Sequence, residues 1–161
     1  MIKIFFLLIS FVITFSSYSQ NASEMGGPPM RSELIGYWKK INTPNEKEMN
    51  KENPWPQKYQ WFAFYENGKV SSMMSDVDYD YTSKDLEPVF KMMQSENSPK
   101  FNLNGNLVII ENKQVENYKE IWGVNLFKKD LNEFIKKGTL LMTLDSGNGE
   151  IIYYRFLERI K

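Results

Sequence analysis

Short runs rich in β-branched and aromatic residues, separated by Gly, Pro, Asn and Asp, fill most of the chain beyond residue 33, which is the pattern of β-strands joined by turns. The first run, Leu34-Ile35-Gly36-Tyr37-Trp38-Lys39-Lys40-Ile41, is stopped by Asn42-Thr43-Pro44. Residues 59–65 and 70–75 flank Glu66-Asn67-Gly68-Lys69, which predicts a β-hairpin, and its Asn-Gly pair suits a type I′ turn. Further strands are predicted over 101–103, 107–111, 118–127, 139–144 and 151–160, with turns at Asn104-Gly105 and Asp145-Ser146-Gly147-Asn148-Gly149.

One segment departs from alternation. Leu86, Val89, Phe90 and Met93 fall at i, i+3, i+4 and i+7, a helical stripe over 85–94. Pro88 is tolerated best in a first turn, which favours Asp85 as N-cap over Thr82 or Ser83. Residues 129–137 predict one short helical turn closed by Gly138. The charged stretch 42–56, with prolines at 44, 54 and 56, predicts a long surface loop without regular structure. Eight short strands and one amphipathic helix between the third and fourth predict an all-β fold, a small antiparallel eight-stranded barrel, closed or nearly closed. A more open β-sandwich with a packed helix is the alternative.

The N-terminus has a different character. Lys3, an unbroken apolar run over 4–15 and small Ser17 and Ser19 predict a secretory signal peptide over 1–19, since that run is too short to span a bilayer. No integral membrane segment is expected after cleavage, and the mature chain is expected to be exported, periplasmic or secreted. Residues 20–33, containing Gly26-Gly27-Pro28-Pro29, read as a flexible leader to a single domain over 34–161. Twenty basic and twenty acidic residues leave no electrostatic footprint for nucleic acid. With neither Cys nor His, disulfides, Ser-His-Asp and Cys-His nucleophiles and zinc sites of the usual kind are excluded.

The chain resembles the lipocalin-like domains of secreted bacterial proteins. The likeness is carried by Gly36-Tyr37-Trp38 on the first strand and by the basic, aromatic last strand, Ile152-Tyr153-Tyr154-Arg155-Phe156-Leu157-Glu158-Arg159-Ile160. It implies a first-strand Trp packed beneath a last-strand Arg at one end of a barrel, which here means Gly36 and Trp38 with Arg155 or Arg159, and it implies ligand binding. The helix between strands three and four is not part of the usual lipocalin meander.

Candidate chemistry is sparse. Some of Trp61, Phe62, Phe64, Met73, Trp122, Met142 and Tyr154 are expected to line a cavity, although both faces of the strands are apolar enough to hide which points inward. Asp76, Asp78, Asp80 and Glu87 occupy positions 1, 3, 5 and 12 of a calcium loop, but Tyr81 stands where the sharp turn wants Gly; calcium is the one cofactor suggested. The bland reading is a solvated strand end. Met25, Met30, Met73, Met74, Met92 and Met93 raise Cu(I), with unpersuasive spacing. A hydrolase would need a carboxylate pair such as Glu120 and Glu158 sharing one cavity. The favoured expectation is an exported, noncatalytic binding domain for a small apolar or amphipathic ligand held in the barrel. An extracytoplasmic protein- or glycan-interaction module with a filled core is the second reading, and a carboxylate enzyme the third. Oligomeric state is not legible.

Overall fold

The computed structural model describes residues 26–161 apart from 45, 51, 52, 54, 56, 113 and 117. The signal-peptide segment and residues 20–25 of the expected leader lie outside the described residues. In chain order the elements are β1 (Gly26–Gly27), α1 (Arg31–Leu34), β2 (Gly36–Ile41), α2 (Glu46–Met49), β3 (Tyr59–Phe64), β4 (Val70–Ser75), α3 (Ser83–Met93), β5 (Lys100–Asn104), β6 (Leu107–Glu111), β7 (Lys119–Phe127), β8 (Leu140–Asp145) and β9 (Ile151–Arg159).

Eight strands form one curled antiparallel sheet in the order β4-β3-β2-β9-β8-β7-β6-β5. Among these eight, strands adjacent in sequence pair antiparallel except β4 and β5, and the first long strand pairs with the last, Trp38 opposite Arg159 and Ile41 opposite Phe156. The all-β expectation is therefore met. Full closure is not: β4 and β5 meet only through the Lys69–Lys100 bridge. Pro99 explains the seam, because its carbonyl accepts from Val70 N–H at 3.0 Å but it has no N–H with which to extend a ladder.

Several local expectations are revised. Residues 26–33 were expected in the leader, yet Gly26 and Gly27 pair with Phe127 and Leu126 of β7, and Arg31–Leu34 form a single helical turn. The hairpin turn is a three-residue loop: Gly68 N–H donates to the Tyr65 carbonyl at 2.9 Å and Tyr65 N–H to the Lys69 carbonyl at 3.0 Å. Gly68, at φ +81°, supplies the left-handed step after the turn that such loops need. Residues 129–137 form no helix, because Asn132 Oδ1 takes the Phe134 and Ile135 N–H groups and Asp130 Oδ1 takes that of Lys137.

The helix α3 starts at Thr82, not Asp85. Thr82 N–H and Oγ1 both donate to Asp85 Oδ2, at 2.8 and 2.6 Å, and the Asp85 N–H returns a bond to Thr82 Oγ1. These bonds hold the Asp85 carboxyl below its usual range. A reciprocal cap of this kind satisfies the orphan donors of the first turn, so Pro88 is accommodated inside the helix. Of the predicted stripe only Leu86 and Phe90 are buried, with Trp61 and Ala63 on the outer face of the sheet.

The main core lies inside the curl. Trp38, Phe62, Phe64, Val70, Phe101, Val108, Trp122, Met142, Tyr153 and Leu157 share it. Alternation along each strand selects this face, and Trp61, Ala63, Phe127 and Phe156 belong to two smaller clusters on the other side.

Candidate functional site

Two arginines of β9 do different work. Arg159 lies at one end of the curl, its guanidinium carbon 4.6 Å from the Trp38 ring centroid. Its Nη1 donates to the Ile35 carbonyl at 2.7 Å and its Nη2 to the Glu33 carbonyl, while Trp38 Nε1 donates to the Leu34 carbonyl at 2.8 Å. Gly36 makes the approach possible: a Cβ there would stand 2.8 Å from Arg159 Nη1, and its φ is +130°. Of the two arginines the sequence offered to Trp38, Arg159 is the one in contact.

Arg155 points into the interior and is only 3% exposed. Its guanidinium carbon is 4.3 Å from the Trp55 ring centroid, 4.5 Å from Phe62, 4.6 Å from Trp122 and 5.4 Å from Tyr153. Burial lowers its pKa to about 10, so it is a cation at neutral pH. No ion pair to Arg155 is formed among the described residues. Glu120 is near enough to favour its charge, but the Glu120 oxygens accept from Tyr118 Oη at 3.1 Å and Trp122 Nε1 at 2.9 Å. Burial, reinforced by Glu120, pushes the Tyr118 phenol up to about 12.

Trp55 comes from the 42–58 connection, whose residues 42–56 were expected to form a long surface loop without regular structure. The connection instead carries the α2 turn and docks on β9. Asn50 Oδ1 accepts from Tyr154 N–H at 2.6 Å, and Asn50 Nδ2 donates to the Tyr154 carbonyl at 3.3 Å, occupying strand edge that β2 leaves uncovered. Trp55 then packs on Trp122 and Tyr153, with ring centroids 5.5 and 5.1 Å away. The same connection supplies Glu46, which pairs with the buried Lys40; Lys40 Nζ also donates to Asn42 Oδ1 at 3.0 Å. Burial lowers the Lys40 pKa, and Glu46 opposes that fall.

A cavity of about 250 Å³ opens at the β4–β5 seam and reaches this interior. Phe62, Phe64, Met74 and Met142 give it apolar walls, Arg155, Glu120 and Tyr118 polar ones, and Trp55, Met93 and Pro99 also line it. Of the candidate ligand residues, Phe62, Phe64 and Met142 line it, and Trp122 lies behind it against Arg155. The other three belong elsewhere. Trp61 and Met73 face α3 on the outer surface, and Tyr154 joins the cluster beside Phe127 and Phe156. Strand alternation is the reason, since each is one residue out of phase with an inward neighbour.

The remaining constellations do not assemble. Among the described residues no three acidic side chains converge to hold a metal ion. Asp76, Asp78, Asp80 and Glu87 do not converge: Tyr79 and Tyr81 stack at 5.2 Å and pack on Trp61 at 6.4 and 5.4 Å, and Asp78 pairs with Lys39 at 2.7 Å. Glu120 faces the cavity while Glu158, one residue out of phase with Leu157, is exposed on the other face, so the two form no catalytic pair. Met92 is 87% exposed on α3 and shares no site with Met73.

The residues that sequence reasoning missed are Arg155 as an interior group, Trp55 as its cover, and Lys40 with Glu46. Their only signal was phase: Arg155 and Lys40 alternate with buried Leu157 and Trp38. Compared with known proteins, the chain matches no protein-family model, and no curated protein or solved structure matches it significantly.

Proposed function

We propose that this chain is a noncatalytic, exported binding domain that holds one small apolar or amphipathic molecule inside a lipocalin-like barrel. The observation that carries this reading is the cavity of about 250 Å³ with Phe62, Phe64 and Met142 as walls and an entrance at the β4–β5 seam. A concave apolar pocket with a few convergent polar groups is the usual form of a small-molecule site. Two features support the lipocalin-like architecture: the meander in which first and last long strands pair, and the Gly36, Trp38 and Arg159 contact at one end. Export rests on the N-terminal apolar run followed by small residues.

The test is titration of the mature chain with the uncharged fluorophore N-phenyl-1-naphthylamine. Saturable binding at one site per chain, with quenching of tryptophan emission, is the expected result. Met74 is half-buried on the cavity wall. Met74→Trp is therefore expected to weaken the fluorophore by at least about tenfold, because a filled pocket forfeits the apolar contacts of its ligand. Absence of saturable uptake by the folded wild-type chain would transfer preference to the interaction-module reading.

A further inference from the structure

Arg155 is held in an unusual state for a buried cation. Its Nε and Nη2 are buried and have no hydrogen-bond partner among the described residues. Those two nitrogens form the side-on edge of a guanidinium, the edge that meets both oxygens of a carboxylate. The surrounding rings of Trp55, Phe62, Trp122 and Tyr153 offer their π faces to the charge, and the nearby Tyr153 phenol also favours it. The nearby carboxylates are engaged elsewhere, Glu46 with Lys40 and Glu120 with Tyr118 and Trp122. A buried charge whose donors go unmet costs several kcal/mol unless something supplies acceptors.

Resting on the ligand-binding reading above, we propose that the molecule held in the cavity is an amphipathic carboxylate whose head group pairs with the Nε and Nη2 edge of Arg155 and whose apolar tail lies along Phe62, Phe64 and Met142. The fold has already taken the guanidinium out of water, so binding bears mainly the desolvation of the carboxylate, and a preorganised fork meets it. The Tyr153 hydroxyl, also buried without a partner among the described residues, is a second donor on the same strand. Glu120, the other charged residue in the wall, has its oxygens turned to Tyr118 Oη and Trp122 Nε1. Of the four rings around the guanidinium, Trp55 alone comes from a connecting segment.

Fluorescence titration of the mature chain with cis-parinaric acid and with its methyl ester, at neutral pH and below micellar concentrations, separates the possibilities. The acid is expected to bind at least about tenfold tighter than the ester, the scale of a hydrogen bond to a charged group. In Arg155→Met that advantage is expected to fall below about threefold, because an apolar residue of similar length leaves no fork for the head. Arg155→Lys, which keeps the charge but not the fork, is expected to fall between. Equal binding of acid and ester by the wild type overturns the carboxylate assignment while leaving the cavity reading intact. Failure of both to bind overturns the cavity reading itself. The wild-type ratio is decisive even where a variant does not fold, and retention of the full ratio by a folded Arg155→Met variant also overturns the assignment.

Discussion

Trp38→Ala is expected to lower the free energy of unfolding by about 3–5 kcal/mol, the range for deleting a large buried aromatic. The side chain is 1% exposed and belongs to the main core, so its removal leaves a void between β2 and its neighbours. More than packing is lost. The Leu34 carbonyl loses its indole donor, and Arg159 loses the ring beneath its guanidinium, which loosens the α1 segment from the end of the curl. Trp38→Phe retains most of the packing and gives up the indole N–H, so its expected loss is smaller, about 1–3 kcal/mol. Guanidinium chloride unfolding followed by far-UV circular dichroism measures both. A loss under about 0.5 kcal/mol for Trp38→Ala, the range of surface substitutions, would contradict the placement of this residue as the closing plug.

The second large effect concerns the Lys40–Glu46 pair. Lys40 is 4% exposed, and Glu46 approaches it from the α2 turn. Among the described residues, Glu46→Ala leaves the buried ammonium with Asn42 Oδ1 at 3.0 Å and the Lys58 carbonyl at 3.4 Å. Breaking one side of a buried pair costs about 3–5 kcal/mol, and the partial exposure of Glu46 places the expectation at the lower end. Lys40→Met combined with Glu46→Leu is expected to return stability to within about 1 kcal/mol of the wild type, since a well-packed apolar replacement removes the desolvation problem with the charge.

The pH dependence has a definite sign. Burial already lowers the Lys40 pKa from 10.5 and Glu46 opposes that fall, so Glu46→Ala lowers it further. Between the lowered folded value and 10.5 the unfolded chain binds more protons than the folded one, so stability of the variant rises with pH there. Its deficit relative to wild type is therefore expected to shrink as the pH climbs towards 10.5. A deficit that stays constant or grows over that window would show that Lys40 is not the group left uncompensated.

Legibility in the sequence followed the range of the interaction concerned. The strands, the hairpin around Gly68 and the helix over Leu86 and Phe90 are encoded by neighbours within a few residues, and all are present. The contact of Trp38 with Arg159 spans the chain, yet Gly36 betrays it, because a position two residues before a buried Trp had to stay bare for a guanidinium to approach. What escaped was face. Phe62 and Trp61 are adjacent, equally apolar and both buried, one within the curl and the other beneath α3, so hydrophobicity alone could not say which lines the cavity. The same ambiguity hid Arg155: a cation in an alternating strand reads as solvent-facing until the phase set by Tyr153 and Leu157 is known.

Local side-chain chemistry produced the other departures. Asn132 and Asp130 spend their oxygens on backbone N–H groups and so replace the expected turn over 129–137 with an irregular one. Thr82 displaced Asp85 as cap because the two form a reciprocal set of hydrogen bonds that Asp85 alone could not make. The acidic run 76–80 matched a calcium pattern by residue type, but the interleaved Tyr79 and Tyr81 pack on Trp61 and Asp78 pairs with Lys39, so the carboxylates do not converge.

Native mass spectrometry of the protein, purified without detergent from the cells that make it, tests most directly whether its interior is a binding chamber. One small-molecule mass increment per chain, removed by organic extraction and restored by added dodecanoate, is the predicted result. A bare chain mass throughout, unchanged by saturating dodecanoate under conditions that preserve the fold, would contradict it.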